Sequence, residues 1–314
     1  MSLVEKALRK LQSGTPPASR DVVTEHRAAV VGTPASAGVT QGSGSVSGGR
    51  SEAGWLHDLP LINVEKDVLR RAGMLAPVTQ ERLLMGQFRD IKRTIIRAAF
   101  DPAQRNEANA SRIIMLTSAL PGDGKTFTCL NLAMSLAMER DFMVTLVDGD
   151  VAKPHITKLF GAEGRLGLLD AVTDPNLQIE SVITRTNVPG LFFVPAGRRN
   201  ETATEMMASH RMGDLFQQLA NLSPNNLVVF DSSPMLLTSE ARVLAGRVQQ
   251  VLLVVKAGVT PQHAVKEAVD VLADIGARVG VVLNNADTKG LTGYGYGYGY
   301  GSEPAVKQPP DGAH

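Results

Sequence analysis

The sequence predicts an α/β fold built on an open, mainly parallel sheet with helices on both faces, preceded by a disordered N-terminal region. The first observation behind this prediction is that short β-branched or aliphatic runs alternate with helical patterns from residue 113 onward. The second is that these runs lack polar–apolar alternation, as expected of strands that are buried on both faces. The third is an ordinary globular composition, with 43% apolar and 20% charged residues.

The individual elements follow in chain order. A short extended segment is predicted at residues 59–64, with helices at 66–73 and 79–100. The predicted strands are 113–118, 143–148, 191–195, 227–231, 251–256 and 279–284. The predicted helices between them are 124–140, 203–220, 239–246 and 261–275. All nine Phe lie between Phe88 and Phe230, so the packed body is expected to begin with the helix at 79–100.

Composition divides the chain into four predicted parts. Residues 1–12 form a short amphipathic helix that starts with a Ser2–Glu5 capping box; it either docks on a partner or membrane surface or frays in solvent. Residues 13–58 are a flexible linker of Gly, Ser, Pro, Ala and Thr, which cannot offset the entropy of ordering. Residues 59–288 form the α/β domain with an N-terminal helical extension, and residues 289–314 form a flexible tail.

Several classes of protein are excluded by the overall numbers. A net charge of +1 gives no global field for nucleic acid. The single Cys129 excludes a disulfide framework. No apolar run approaches the roughly 18 residues of a membrane span, and no secretory signal is visible. We therefore expect a soluble cytosolic protein.

Residues 119–126, Ala-Leu-Pro-Gly-Asp-Gly-Lys-Thr, match the A/G-x-x-x-x-G-K-S/T phosphate-binding loop. They follow a predicted strand and start a predicted helix, whose N-terminus attracts anions. Lys125 is expected to bridge the β- and γ-phosphates of ATP, and the Thr126 hydroxyl to ligate Mg²⁺. A Gly-rich turn with an incidental lysine is the alternative. The predicted nucleotide-binding residues are Gly122, Asp123, Gly124, Lys125, Thr126 and Phe127.

Three aspartates follow predicted strands. Asp148 and Asp150 end one apolar run, and Asp231 ends another. Because ligands collect at the carboxyl ends of strands in open sheets, we expect these side chains near the loop. One carboxylate can hold Mg²⁺ through water and another can accept a proton from a hydroxyl. Alone, each could instead be a helix cap or turn residue.

The tyrosines form the most unusual feature of the sequence. All four lie in one Gly-Tyr repeat near the end of the chain, at Tyr294, Tyr296, Tyr298 and Tyr300. The repeat contains too much glycine for a stable core strand. An adhesive or base-stacking segment is the alternative. The absence of tyrosine from the first 293 residues favours a substrate tail, and Tyr294, ten residues beyond the last predicted strand, can reach roughly 35 Å.

Together these motifs resemble the bacterial tyrosine kinases (BY-kinases), in which a phosphate loop is followed by h-h-h-D-x-D and h-h-h-D-x-P-P segments. In detail, including its start Ser2-Leu-Val-Glu-Lys-Ala-Leu, the chain is similar to the tyrosine autokinases encoded with exopolysaccharide and exosortase systems. The resemblance implies that 59–288 is a P-loop kinase domain with Lys125 in catalysis. It implies Asp148 as base or activator for the tyrosine hydroxyl, and Mg²⁺ held by Thr126, Asp150 and Asp231.

The resemblance also implies how the protein is used. Its tail tyrosines would be phosphorylated in trans within a ring-like homo-oligomer. A membrane polysaccharide chain-length protein would activate it and recruit it to the inner face of the plasma membrane.

The sequence departs from the family at three places and from the related partition ATPases at a fourth. Ala152 stands where the family often has an arginine, and the third segment is Asp-Ser-Ser-Pro. The E-x-x-R-x-x-R assembly helix appears here with Gly86, Arg89 and Lys92. Partition ATPases carry a second lysine early in the loop, where this chain has Leu120, which argues against that class.

Three hypotheses follow. The first is an ATP-dependent tyrosine autokinase that acts on its own tail and regulates exopolysaccharide synthesis or export. The second is a nucleotide-gated assembly or positioning ATPase with a non-substrate tail. The third is a nucleotide-binding scaffold with negligible catalysis.

Overall fold

A computed structural model describes residues 56, 58–100, 112–198 and 203–286. The predicted helix at 1–12, nearly all of the linker at 13–58 and the tail at 289–314 lie outside these ranges. The tail tyrosines therefore stay a prediction from sequence. Within the described ranges, no helix is long and apolar enough to cross a membrane.

Eight strands form one sheet. They are β1 Leu61–Ile62, β2 Ile113–Ser118, β3 Met143–Asp148, β4 Thr184–Thr186, β5 Leu191–Val194, β6 Asn226–Asp231, β7 Gln250–Lys256 and β8 Arg278–Asn284. Their order is β1-β4-β5-β3-β6-β2-β7-β8. Among the strands of the described ranges, only β4 and β5 pair antiparallel, and the other neighbouring strands pair parallel. The predicted mainly parallel sheet is confirmed.

The helices of the described ranges are mostly those that the sequence predicts. They are α1 Lys66–Arg71, α2 Val78–Ala99, α3 Lys125–Ala137, α4 His155–Leu159, α5 Leu168–Thr173, α6 Ala203–Met207, α7 His210–Ala220, α8 Ser239–Ala245 and α9 Gln262–Asp274. The prediction of one helix over 203–220 is wrong. Ser209 has extended φ and ψ of −70° and 162° and starts α7 as its N-cap, a position that serine favours.

Helices cover both faces of the sheet, as predicted. Successive side chains of β2 enter two separate cores, because neighbours on a strand point to opposite faces. Ile113 and Met115 pack in the core under α5, α7, α8 and α9. Ile114 and Leu116 pack in the core under α2, α3 and α4. All six residues of β2 are buried, which explains why its first four residues are an unbroken apolar run.

The packed body begins before α2, so the expectation that it starts with the helix at 79–100 is wrong. Ile62 of β1 and Leu69 of α1 are 3% and 1% exposed. The Asn131 side-chain amide of α3 donates to the Met74 carbonyl at 2.8 Å and ties this segment to the sheet. Phenylalanine positions alone missed it because its buried side chains are aliphatic.

The strand order brings the predicted site together. β3, β6 and β2 are neighbours, and all three run parallel. Their carboxyl ends therefore meet at one edge of the sheet, where α3 begins. Asp148 and Asp231 stand directly opposite each other in the pairing of β3 with β6.

Candidate functional site

The loop between β2 and α3 has the backbone that a phosphate-binding loop requires. Gly122 and Gly124 have φ of +85° and +96°, in the left-handed region that favours glycine. Gly124 is the N-cap of α3, and Lys125 is the first residue of the helix. The N-terminus of α3 thus faces the space where a phosphate would sit. Phe127, also predicted to bind nucleotide, is half-buried in the first turn of α3.

Asp123 supports the loop from inside. Its carboxylate accepts from Leu120 N at 3.1 Å and from Thr260 Oγ1 at 2.7 Å, and the residue is 3% exposed. Its carbonyl accepts from Asn284 Nδ2 at 2.9 Å. The side chain of Asp123 is therefore engaged within the protein, so only its main-chain N–H would be offered to a nucleotide. Sequence reasoning missed the bracing roles of Thr260 and Asn284.

Replacing Gly124 by Ala is expected to weaken nucleotide binding by at least about tenfold, because the loop would have to reshape. A Cβ here would lie 2.0 Å from Asn284 Nδ2, and the φ is unfavourable for alanine. Calorimetric titration with ATP would measure the change. Gly73→Ala is the matched control: Gly73 has a φ of +71° with nothing within 4 Å of an added Cβ. Equal affinities for the two variants would contradict the prediction.

Lys125 lies among carboxylates at the start of α3. Its Nζ is 2.9 Å from Asp150 Oδ2 and donates to Thr126 Oγ1 at 3.2 Å. Burial lowers the pKa of Lys125, but the charges of Asp231 and Asp150 outweigh burial, and the pKa lies above its ordinary value. Lys125 therefore carries a full positive charge at neutral pH, as a phosphate-binding lysine must.

Asp148 and Asp231 are fully buried, and each has one free oxygen. Asp148 Oδ2 accepts two hydrogen bonds from Thr157, and Asp231 Oδ2 accepts one from Thr126 Oγ1 at 2.8 Å. The Oδ1 atoms of both aspartates are buried without a hydrogen-bond partner among the described residues. Such atoms are rare in folded proteins and mark a place where a ligand or water is expected.

The environment raises the pKa of both aspartates. Burial raises the pKa of Asp148 to about 7, Asp231 adds to the rise, and the bonds from Thr157 oppose it. Burial raises the pKa of Asp231 to about 6, and Lys125 is the largest opposing influence. A carboxylate whose pKa lies near 7 is suited to accept a proton at neutral pH. Asp148 has this property.

The residues predicted for Mg²⁺ fit such an ion in part. The Thr126 hydroxyl, the unpaired Asp231 Oδ1 and Asp150 are oxygen donors, which Mg²⁺ prefers. In the described ranges, no group of three or more His, Cys, Asp or Glu forms a metal cage. An ion here would therefore take its other ligands from phosphate and water.

Two departures from the family pattern have structural counterparts. Ser233 stands at the first proline position of Asp-x-Pro-Pro, and its hydroxyl donates to Asp150 Oδ1 at 3.0 Å. A proline has no hydroxyl to offer, so this hydrogen bond exists only because of the change. In α2, Lys92 donates to the Ser135 carbonyl at 3.4 Å and pairs with Glu139. Lys92 is thus held within its own domain.

The chain has relatives among known proteins, although no family model matches it. EpsB of Ralstonia solanacearum, whose name is "putative tyrosine-protein kinase", is 32% identical over 194 residues, 61% of this chain and 25% of EpsB. The tyrosine-protein kinase CpsD of Streptococcus agalactiae serotype III (strain NEM316) is 26% identical over 178 residues, 56% of this chain and 75% of CpsD. The solved kinase domain of VpsO aligns with a TM-score of 0.54 and 28% identity, over 67% of this chain and 100% of that domain.

The resemblance to the bacterial tyrosine kinases is confirmed. The chain spans only a quarter of the length of EpsB but three quarters of CpsD. Its fold, a sheet with helices on both faces, is similar to that of the solved VpsO kinase domain. Such a fold, with a phosphate loop in place after β2, is that of a nucleotide-binding domain.

Proposed function

We propose that this chain is an ATP-dependent protein-tyrosine kinase that phosphorylates its own C-terminal tyrosines in trans. The observation that carries the proposal is the meeting of Lys125, Asp148 and Asp231 at one sheet edge, with a buried, unpaired oxygen on each aspartate. A charged lysine for phosphate and a carboxylate with a pKa of about 7 are the groups that phosphoryl transfer to a hydroxyl needs.

In the proposed reaction, the loop N–H groups and Lys125 hold the β- and γ-phosphates of ATP. Asp148 accepts the proton of the tyrosine hydroxyl while the tyrosine oxygen bonds to the γ-phosphorus. The bond between the γ-phosphorus and the β–γ bridging oxygen breaks, which gives phosphotyrosine and ADP. Mg²⁺ would be held by Thr126, Asp150 and Asp231. When bound, it would neutralise charge on the phosphates.

The ion pair between Lys125 and Asp150 would change when ATP binds. Lys125 Nζ and Asp150 Oδ2 are 2.9 Å apart, and both side chains are nearly buried. A phosphate that takes the ammonium proton now shared with Asp150 would release Asp150 Oδ2 from Lys125 and make this oxygen available beside Thr126.

The rest of the proposed function comes from sequence. Residues 1–12 would be a docking helix, residues 13–58 a flexible tether and residues 289–314 the substrate tail of the kinase domain at 59–288. A membrane polysaccharide chain-length protein would be the activator, and self-association would bring one chain's tail to another chain's site. Phosphorylation would add about −1.5 to −2 charges per tyrosine, which would drive subunits apart and so regulate exopolysaccharide synthesis or export.

Trans phosphorylation is tested by mixing two variants that are each defective alone. Lys125→Ala keeps the tail tyrosines but is expected to lack catalysis, whereas a chain with all four Tyr→Phe changes keeps catalysis without a substrate tail. With ATP and Mg²⁺, we expect phosphotyrosine on the Lys125→Ala chains only when the second variant is present. Mass spectrometry would place it at Tyr294, Tyr296, Tyr298 and Tyr300.

Two outcomes would contradict this prediction. Wild-type protein that hydrolyses ATP without tail phosphorylation would favour the positioning-ATPase hypothesis. Phosphotyrosine that forms in wild-type protein but never on the Lys125→Ala chains of the mixture would show that each chain modifies only itself. A chain with Lys266→Ala, a change at an exposed ion pair of α9, is the control for charge removal away from the site.

A further inference from the structure

Thr157 contacts the carboxylate of Asp148, the proposed general base. It lies in α4 and is 3% exposed. Its main-chain N–H and its hydroxyl both donate to Asp148 Oδ2, each at 2.7 Å. Two donors on one residue therefore hold one oxygen of this buried carboxylate.

The hydroxyl of Thr157 has a defined direction. Ala196 N, just after β5, donates to Thr157 Oγ1 at 3.0 Å. Because a hydroxyl carries a single proton, and the Ala196 side is occupied by a donor, that proton points to Asp148. A directed chain of hydrogen bonds thus runs from the backbone after β5, through Thr157, to the carboxylate at the end of β3.

This arrangement fixes the position of the free oxygen of Asp148. A partial rotation about the Cβ–Cγ bond would break both bonds to Thr157, whereas a half-turn only exchanges two equivalent oxygens and leaves a free oxygen at the same place. Oδ1 is the oxygen left buried and unpaired among the described residues. A general base needs one oxygen held within reach of the proton that it accepts, and the supporting bonds of its other oxygen fix that position.

We propose that Thr157 is a positioning residue for phosphoryl transfer, which holds Oδ2 of Asp148 so that Oδ1 stays available to the tyrosine hydroxyl. The inference rests on the proposed function, because Asp148 acts as a base only in that reaction. If Thr157 merely stabilised the fold, its loss would lower the unfolding temperature and leave the turnover of folded protein unchanged.

The test compares Thr157→Val and Thr157→Ser in the full chain, with tail phosphorylation measured over a range of ATP·Mg²⁺ concentrations. Valine keeps the volume and the main-chain donor but lacks the hydroxyl. We expect kcat to fall about 10- to 100-fold in T157V, since a base displaced by about 1 Å loses this much. The KM for ATP and the calorimetric affinity for ADP should stay within about threefold, because the nucleotide contacts are untouched. T157S, which keeps the hydroxyl, should recover kcat to within about threefold.

Thr184→Val is the matched control. Thr184 is 4% exposed, and its hydroxyl donates to the Phe193 carbonyl at 2.9 Å, away from Asp148. We expect T184V to lose stability in thermal unfolding as T157V does, but to keep the kcat of wild type. Thr157→Ala removes the same hydroxyl and replaces T157V in the comparison if T157V does not fold.

The outcomes separate this inference from the proposed function. Wild-type protein that forms no phosphotyrosine overturns both. Wild-type protein that phosphorylates its tail while T157V has an unchanged kcat overturns the role of Thr157 alone. A loss of kcat that T157S does not restore, or that T184V shares, also overturns it.

Discussion

Replacing Asp148 by Asn is expected to abolish tail phosphorylation and, at the same time, to make the nucleotide-free protein more stable. The loss of activity should be on the order of 10²- to 10⁴-fold, because an amide cannot accept the tyrosine proton. ATP binding should change little, since Lys125 and the loop remain. A radiometric phosphorylation assay and calorimetric titration would measure the two effects separately.

The gain in stability follows from the raised pKa of Asp148. The folded protein holds its proton up to about pH 7, whereas the unfolded chain releases it near the ordinary value of 3.8. Between these values the folded state binds more protons than the unfolded state, so the free energy of unfolding falls as the pH rises. The Asp148→Asn change would remove a penalty on the order of a few kcal/mol at pH 8.

Thermal unfolding from pH 5 to pH 8, without nucleotide or Mg²⁺, would check that the change in stability caused by D148N is a gain. The unfolding temperature of D148N should exceed that of wild type by an amount that grows with pH up to about 7. Asp170→Asn is the control and should lower the unfolding temperature, because it removes an ion pair with Arg198 at 2.8 Å. A D148N protein that is less stable than wild type at pH 8 would refute the argument.

The phosphate loop and the three aspartates could be predicted from sequence because each is encoded locally. Lys125 follows Gly124 directly, and Asp148 and Asp231 end apolar runs that form buried strands. Their meeting follows from the general rule that parallel strands expose their carboxyl ends at one edge. The order β3-β6-β2 then placed them as that rule requires.

The residues that support the site could not be predicted in this way. Asn284 reaches the loop from 161 positions away, and Thr157 is joined to Ala196 across 39 positions. Neither contact leaves a pattern in the sequence, because it depends on where loops cross after folding. β4 was missed for another reason: with three residues, Thr184–Thr186 is too short to show a periodic pattern. The break before α7 did have a signal in Ser209, a favoured N-cap.

Replacing Lys125 by Ala is expected to lower both nucleotide affinity and stability. This effect on stability is opposite in sign to that of D148N. Affinity for ATP should fall about 100-fold, because the charge that holds the phosphates is gone. The free energy of unfolding should fall by about 3 kcal/mol at pH 8, because Asp150 and Asp231 stay buried without their cation. Calorimetric titration and urea unfolding would measure the two losses.

The pH dependence of stability and a second substitution test whether the buried carboxylates cause the loss of stability in K125A. Lys125 holds down the pKa of Asp231, so without Lys125 the Asp231 carboxyl keeps its proton to higher pH. The stability difference between wild type and K125A should therefore widen from pH 5 to pH 8.

Adding Asp150→Asn should restore stability in part without restoring ATP affinity, because it removes a buried charge but supplies no cation. Lys266→Ala, at an exposed pair of 3.8 Å, should change stability by less than about 0.5 kcal/mol. If K125A and K266A were equally stable at pH 8, the buried carboxylates would not depend on Lys125 for their charge balance.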